Sequence, residues 1–281
     1  MQALPGGEAI ATLGSDGTII FWNIIAGEMV ANVTLQGVRG HTVMRVLGED
    51  CLVTGVTYIT GDPAVVWSLP RRAPEHYLRQ PGGSIRLLEA SPCGAKLATT
   101  GWDGMVYIWD ARRGRLEREL RTKAGRIGAI AISWGGARVV GSAAGRILIW
   151  DGVDTNKTSR WIFLGHGDTP VFAITGPDHL VAVAGSEAAI WNVRSARRVR
   201  ALKGYGPEAE HLVQDVAAAW GGHRVAACGS RPIDDISWVR VWDVTTGRLE
   251  YQDEMRRHPR EQMRCGVAAG AASLGIDGAG R

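Results

Sequence analysis

Little in this 281-residue chain is suited to holding a metal or a disulfide framework. It has four cysteines, Cys51, Cys93, Cys228 and Cys265, none in a Cys-x-x-Cys pair, and its seven histidines are scattered. The sequence therefore predicts free thiols in a reducing compartment. No run of 18 apolar residues occurs, which excludes a membrane-spanning helix on length. Met1-Gln2-Ala3-Leu4-Pro5-Gly6-Gly7 lacks the basic and apolar regions of a signal peptide, so an intracellular place, cytoplasmic or nuclear, is expected. Without a secretory route, Asn32-Val33-Thr34 and Asn156-Lys157-Thr158 read as chance matches to the glycosylation pattern. The phosphate loop Gly-x-x-x-x-Gly-Lys-Ser/Thr, the Gly-x-Ser-x-Gly elbow and His-Glu-x-x-His are all missing. No catalytic, cofactor-binding or metal-binding residue is assigned, and the chain is read as a non-enzyme. A net charge of +4 is too small to imply a nucleic-acid partner.

What is present is a repeat. An apolar run ending in tryptophan returns at Trp22, Trp67, Trp109, Trp150, Trp191 and Trp242, at intervals of 45, 42, 41, 41 and 51 residues by subtraction. A period of about forty residues marks a copied supersecondary unit. The clearest copy runs from Leu97 to Asp110, two β-rich runs flanking Trp102-Asp103-Gly104. Asp-Gly between such runs signals a hairpin, because glycine accepts the positive φ of a tight turn. The fourth copy has Ala144 where the aspartate stood. An apolar run precedes each hairpin, rich in small residues such as Gly128, Ala129 and Ala131, and a charged strand such as 114–120 follows it. Four strands per copy is the composition of a β-propeller blade, and the fold class is all-β. The 38 glycines fit many tight turns, and the unbroken period argues for one domain over 1–281.

These residues resemble the WD-repeat family. Trp109-Asp110, Trp150-Asp151 and Trp242-Asp243 match its dipeptide, and Trp22-Asn23, Trp191-Asn192 and Trp67-Ser68 are degenerate forms. Gly40-His41 and Gly165-His166 match its Gly-His pair, and the likeness covers roughly residues 5–278. It implies a non-enzymatic scaffold that binds other proteins or peptides without a cofactor or a membrane. It also implies a buried polar network in which His41 meets Asp62, with Trp67 and the hydroxyl of Thr57 or Thr60. A similar set in the next copy comprises Thr99, Asp103 and Trp109. His166 has no matching aspartate before Trp191.

At the start, Pro5-Gly6-Gly7 reads as the turn after an absent inner strand. At the end, Met263–Ala268 reads as an inner strand, and Ser273-Leu274-Gly275-Ile276-Asp277-Gly278 echoes 12–17. The favoured architecture is seven blades with 262–281 a partial last one. The alternative is a closed ring of six, with 263–268 completing the first blade.

Two places suit a partner: Trp102 inside its hairpin turn, and the lengthened sixth repeat around Ile233, Asp234, Asp235 and Trp238, read as a loop on the same face. Arg112, ending the box Leu97–Arg112, resembles the arginine with which WD-repeat substrate receptors of cullin-RING ubiquitin ligases dock their adaptor. Arginine clusters at 112, 113, 115, 118 and 121 and at 194, 197, 198 and 200 leave a reader of RNA or peptide tails as a further alternative.

Overall fold

The structure is a computed structural model. It describes residues 2–4, 8–14, 16–34, 41–47, 50–57, 63–71, 73–91, 93–122, 125–133, 136–151, 160–163, 170–176, 178–184, 187–204, 212–218, 223–231 and 236–256. Among these residues every regular element is a strand, and the strands form six four-stranded sheets. The first sheet is β1 (Gln2–Ala3), β2 (Ala9–Leu13), β3 (Thr18–Asn23) and β4 (Glu28–Thr34). The second is β5 (His41–Leu47), β6 (Cys51–Thr57), β7 (Ala64–Ser68) and β8 (Ala73–Leu78). The third is β9 (Leu87–Ala90), β10 (Lys96–Thr100), β11 (Met105–Asp110) and β12 (Arg115–Arg121). The fourth is β13 (Ala129–Ile132), β14 (Arg138–Ala143), β15 (Arg146–Asp151) and β16 (Arg160–Phe163). The fifth is β17 (Val171–Ile174), β18 (His179–Ala184), β19 (Glu187–Asn192) and β20 (Arg197–Ala201). The sixth is β21 (Leu212–Ala218), β22 (Arg224–Arg231), β23 (Ile236–Asp243) and β24 (Leu249–Arg256).

Within each sheet the strands lie in chain order. This is the blade expected of a β-propeller. The first blade does have an inner strand: Gln2 pairs with Ala11 and Ala3 with Ile10, which corrects the expectation that it is absent. A two-residue strand has no periodicity to read, and its ladder hydrogen bonds alone define it. The expected partial blade at 262–281, including 263–268, lies outside the described residues.

The chain divides into two compact units, Met1–Ala144 with Leu148–Arg160, and Gly145–Ile147 with Trp161–Arg281. In the first unit the inner strands β1, β5, β9 and β13 are successive neighbours. Arg45 on β5 and Glu89 on β9 join two of them through a two-pronged ion pair of 2.6 and 3.0 Å. In the second unit β17 packs beside β21.

The repeat tryptophans join blade to blade. Trp67 packs with Ala11, Ile19 and Phe21 of the first blade, and Trp109 with Leu47, Val53 and Val66 of the second. Trp150 packs with Ala98, Val106 and Ile108 of the third, and Trp242 with Val181, Val183 and Ile190 of the fifth. All four are buried, whereas Trp22 and Trp191 are half-buried. In five blades the register between third and fourth strands shifts immediately before the tryptophan. Such a bulge bends the strand and re-aims the side chain that follows it.

The cross-strand register decides what each indole N–H meets. Trp22 lies opposite Ile10, Trp67 opposite Leu52 and Trp109 opposite Leu97. The residue two further along the second strand shares the face. In these blades it is Thr12, Thr54 and Thr99, and each hydroxyl accepts from the indole, at 2.9, 3.0 and 3.0 Å. The hydroxyl for Trp67 is thus Thr54, not Thr57 or Thr60, because it alone has the right register. Gly141 lies against Trp150, and Ala182 and Ala227 hold the matching places, two residues beyond Leu180 and Val225, which lie opposite Trp191 and Trp242. Trp242 donates instead to Lys203 O at 2.8 Å, while Trp150 and Trp191 find no acceptor among the described residues.

Cys51 and Cys93 are free, but buried Cys228 is disulfide-bonded, which corrects the expectation of four thiols. Spacing along the chain cannot report which sulfurs the fold brings together.

Trp109 and Trp150 are equally buried and differ in having an acceptor. Trp109→Phe is expected to cost about 1 kcal/mol more than Trp150→Phe, the net worth of a typical hydrogen bond. Urea midpoints with unchanged slopes measure this; equal costs would refute the role given to Thr99.

Candidate interaction face

At one end of the third blade the chain turns between β10 and β11 through Gly101-Trp102-Asp103-Gly104. Asp103 closes the turn, accepting from Met105 N at 3.1 Å and from Tyr107 Oη at 2.6 Å. Burial, and then the hydrogen bond to Asp103, push the Tyr107 phenol well above its ordinary pKa of 10.0, so it stays a donor. Gly104 has φ +71°, and a Cβ there would stand 3.0 Å from Gly125 O. Thr122 fastens the two backbones, its N–H donating to Gly104 O at 3.2 Å and its hydroxyl to Gly125 O at 2.9 Å.

This close approach sets Arg126 beside the turn, with its guanidinium carbon 4.9 Å from the Trp102 ring centroid. Arg86, arriving from the segment before β9, stands 5.3 Å from the same ring. Its backbone N–H donates to Thr100 O at 2.7 Å, and its guanidinium donates to Ile127 O. Each arginine adjoins a fully buried isoleucine, Ile85 or Ile127, which anchors its loop. Trp102 remains 48% exposed. Arg126 is exposed and has no carboxylate partner among the described residues.

Of the residues singled out in the sequence, Trp102 stands exposed on its hairpin turn. Asp103 is a correction: it pairs with Tyr107, separately from the Thr99–Trp109 bond. Trp238 is another. It lies in β23, is 1% exposed, and packs in the core of the sixth blade with Arg240 5.2 Å from its ring. The extra length of that repeat goes partly into strand: β22 and β23 have eight residues each and pair as far as Arg231 with Ile236. Trp238 consequently shares one face of β23 with Trp242, opposite Gly229, which leaves room for the indole. Ile233, Asp234, Asp235, Asp62 and the side chain of His41 lie outside the described residues; the backbone of His41 pairs with Thr57.

Arg112 projects from the turn at the other end of β11, exposed, while the His76 ring Nε2–H donates to its carbonyl at 2.9 Å. Much of the expected basic rim is engaged locally. Arg113 pairs with Asp110 at 2.9 Å, Arg194 with Asp178 at 3.3 Å and Arg198 with Glu187 at 2.8 Å. Sequence reasoning missed Arg86 and Arg126, and also Trp161, which is 56% exposed with Arg146 5.1 Å from its ring. The signal available for the first two was position: each adjoins an inner strand at the end where the hairpin turns. Among the described residues no group of three or more His, Cys, Asp or Glu could hold a metal ion, and no helix is long and apolar enough to cross a membrane.

The family model for the WD domain, G-beta repeat, matches residues 74–110, from the outer strand β8 through to Trp109-Asp110. Residues 74–110 are a WD repeat by this match, and the chain resembles WD-repeat proteins over most of its length. It is 26% identical over 225 residues to nuclear distribution protein PAC1 of Arthroderma otae, covering 74% of this chain and 45% of that protein. It is 22% identical over 253 residues to WD repeat-containing protein 55 of Rattus norvegicus, covering 89% of this chain and 63% of that one. A 105-residue stretch is 30% identical to the periodic tryptophan protein 2 homolog of Caenorhabditis elegans, covering 37% and 11%. The chain spans about half the length of the PAC1 relatives it matches.

The structure explains why the WD dipeptide varies here. The residue after the tryptophan caps the next turn by accepting a backbone N–H three residues on. Asp110 accepts from Arg113 N at 3.0 Å, Asn192 from Ser195 N at 2.8 Å, Asp243 from Thr246 N at 2.5 Å and Ser68 from Arg71 N at 3.3 Å. Asn23 accepts from Ala26 N at 2.9 Å. Any short side chain with an oxygen serves. Burial pulls the Asp110 pKa upward, but the Arg113 N–H and guanidinium outweigh it and hold the carboxyl below its ordinary 3.8.

Asp110→Ala is expected to lose about 0.5–1.5 kcal/mol at pH 7, one hydrogen bond's net worth. A depressed pKa stabilises the fold above 3.8 and loses that contribution as pH falls through the folded value. The gap between wild type and Asp110→Ala should therefore narrow below pH 3.8, which denaturant titrations across pH would measure.

Proposed function

We propose that this chain is a non-enzymatic, intracellular scaffold, a single propeller domain that binds other proteins through the end of the third blade bearing Trp102. The observation carrying this reading is the half-exposed indole on a turn fastened to its neighbours. Tryptophan is enriched at the centres of protein interfaces, where a rigid aromatic contributes area at little entropic cost. The WD-repeat family supplies the general role. The test is affinity purification with mass spectrometry, comparing wild type with Trp102→Ala. A set of co-purifying proteins should disappear from the variant while its melting temperature stays unchanged. Identical sets would refute this choice of face.

A second reading rests on Arg112, whose exposed side chain stands at the opposite end of β11 from Trp102. On it, the chain is a substrate receptor of a cullin-RING ubiquitin ligase and docks the adaptor through the Leu97–Arg112 box. Arg112→Ala should then abolish co-purification of a ligase adaptor without affecting stability; unchanged recovery removes this reading.

A further inference from the structure

We infer that Arg86, Trp102 and Arg126 form a docking point for an acidic peptide segment, whose Asp or Glu carboxylates are held by the two guanidiniums. This rests on the scaffold reading and adds the chemistry of the partner. A guanidinium lying on an indole keeps its in-plane N–H donors at the edge, where a carboxylate can meet two of them at once. Arg126 is the freer of the two: it is exposed, it lies 4.9 Å from the Trp102 centroid, and no described carboxylate neutralises it. Arg86 is steadied by its hydrogen bond to Ile127 O. The nearby carboxylate of Asp103 is occupied by Tyr107 Oη and Met105 N, so it is not spent on Arg126.

The same geometry disfavours nucleic acid. Single strands are held by free aromatic faces on which bases stack and by an extended cationic track. Here guanidiniums already stand over the indole, where a base would have to stack. A peptide can instead place a carboxylate at the arginines and an apolar neighbour against the exposed part of the ring.

The test uses the purified full chain and a fluorescein-labelled peptide of Glu residues spaced by Gly and Ser, read by fluorescence anisotropy. Parallel arms use the Gln counterpart, a phosphoserine counterpart of equal charge, and a short single-stranded RNA. The Glu peptide should bind, weaken with salt, and lose about tenfold or more in affinity with R126E or with Gln in place of Glu. R71E, the same charge change on the exposed turn between β7 and β8, should leave binding intact. Melting curves establish that R126E is folded, which its exposure leads us to expect. No binding by wild type, or equal binding by R126E, overturns the proposal; the scaffold reading then stands or falls separately on the Trp102→Ala purification. Tighter binding of RNA or of the phosphoserine peptide, lost in R126E, overturns the carboxylate assignment.

Discussion

Four hairpins of this chain turn an indole toward the preceding blade, and the rest of the structure depends on where that ring goes. A blade has too few residues to form its own core. Trp67, Trp109, Trp150 and Trp242 close this deficit by packing with apolar residues of the preceding blade. The bulge immediately before the tryptophan aims the ring, and in three blades a threonine hydroxyl holds it. Burying an indole N–H without an acceptor is costly, so the threonine both satisfies the donor and fixes the ring.

The residue after the indole acts on the other side of the same strand end. Its oxygen caps the turn leading to the outer strand, so packing and turn are specified by adjacent residues. This is why the sequence unit ends at Trp-Asp although the sheet continues for another strand. The matched segment 74–110 begins on an outer strand and finishes three strands into the next blade. Repeat and sheet are therefore out of step by one strand, and each copy of the sequence links two blades.

That regularity makes the blades legible: the period, the hairpin turns and the alternation of small inner and charged outer strands all appear along the chain. What is not legible depends on register and proximity. Trp238 reads as part of a loop because sequence spacing counts extra residues without showing whether they lengthen strands. Asp103 groups with Thr99 and Trp109 by position, but the strand pairing sets Tyr107 within its reach. Gln2–Ala3 is too short to show a pattern, and Cys228 meets its sulfur partner only through the fold. Arg86 and Arg126 lie 40 positions apart by subtraction, and nothing local indicates that both lie over one ring.

The position of that ring on the third blade has a physical rationale. The strand leading to it carries Thr99, which holds Trp109, and Thr100, whose carbonyl holds the backbone of Arg86. The turn after it is fastened through Gly104, Thr122 and Gly125. Trp102 is thus exposed on a segment whose backbone is restrained on both sides. Ordering such a segment on binding costs less than ordering a free loop, so more of the contact energy remains as affinity. The fourth and fifth blades lack the threonine under their indoles, with Gly141 and Ala182 in its place.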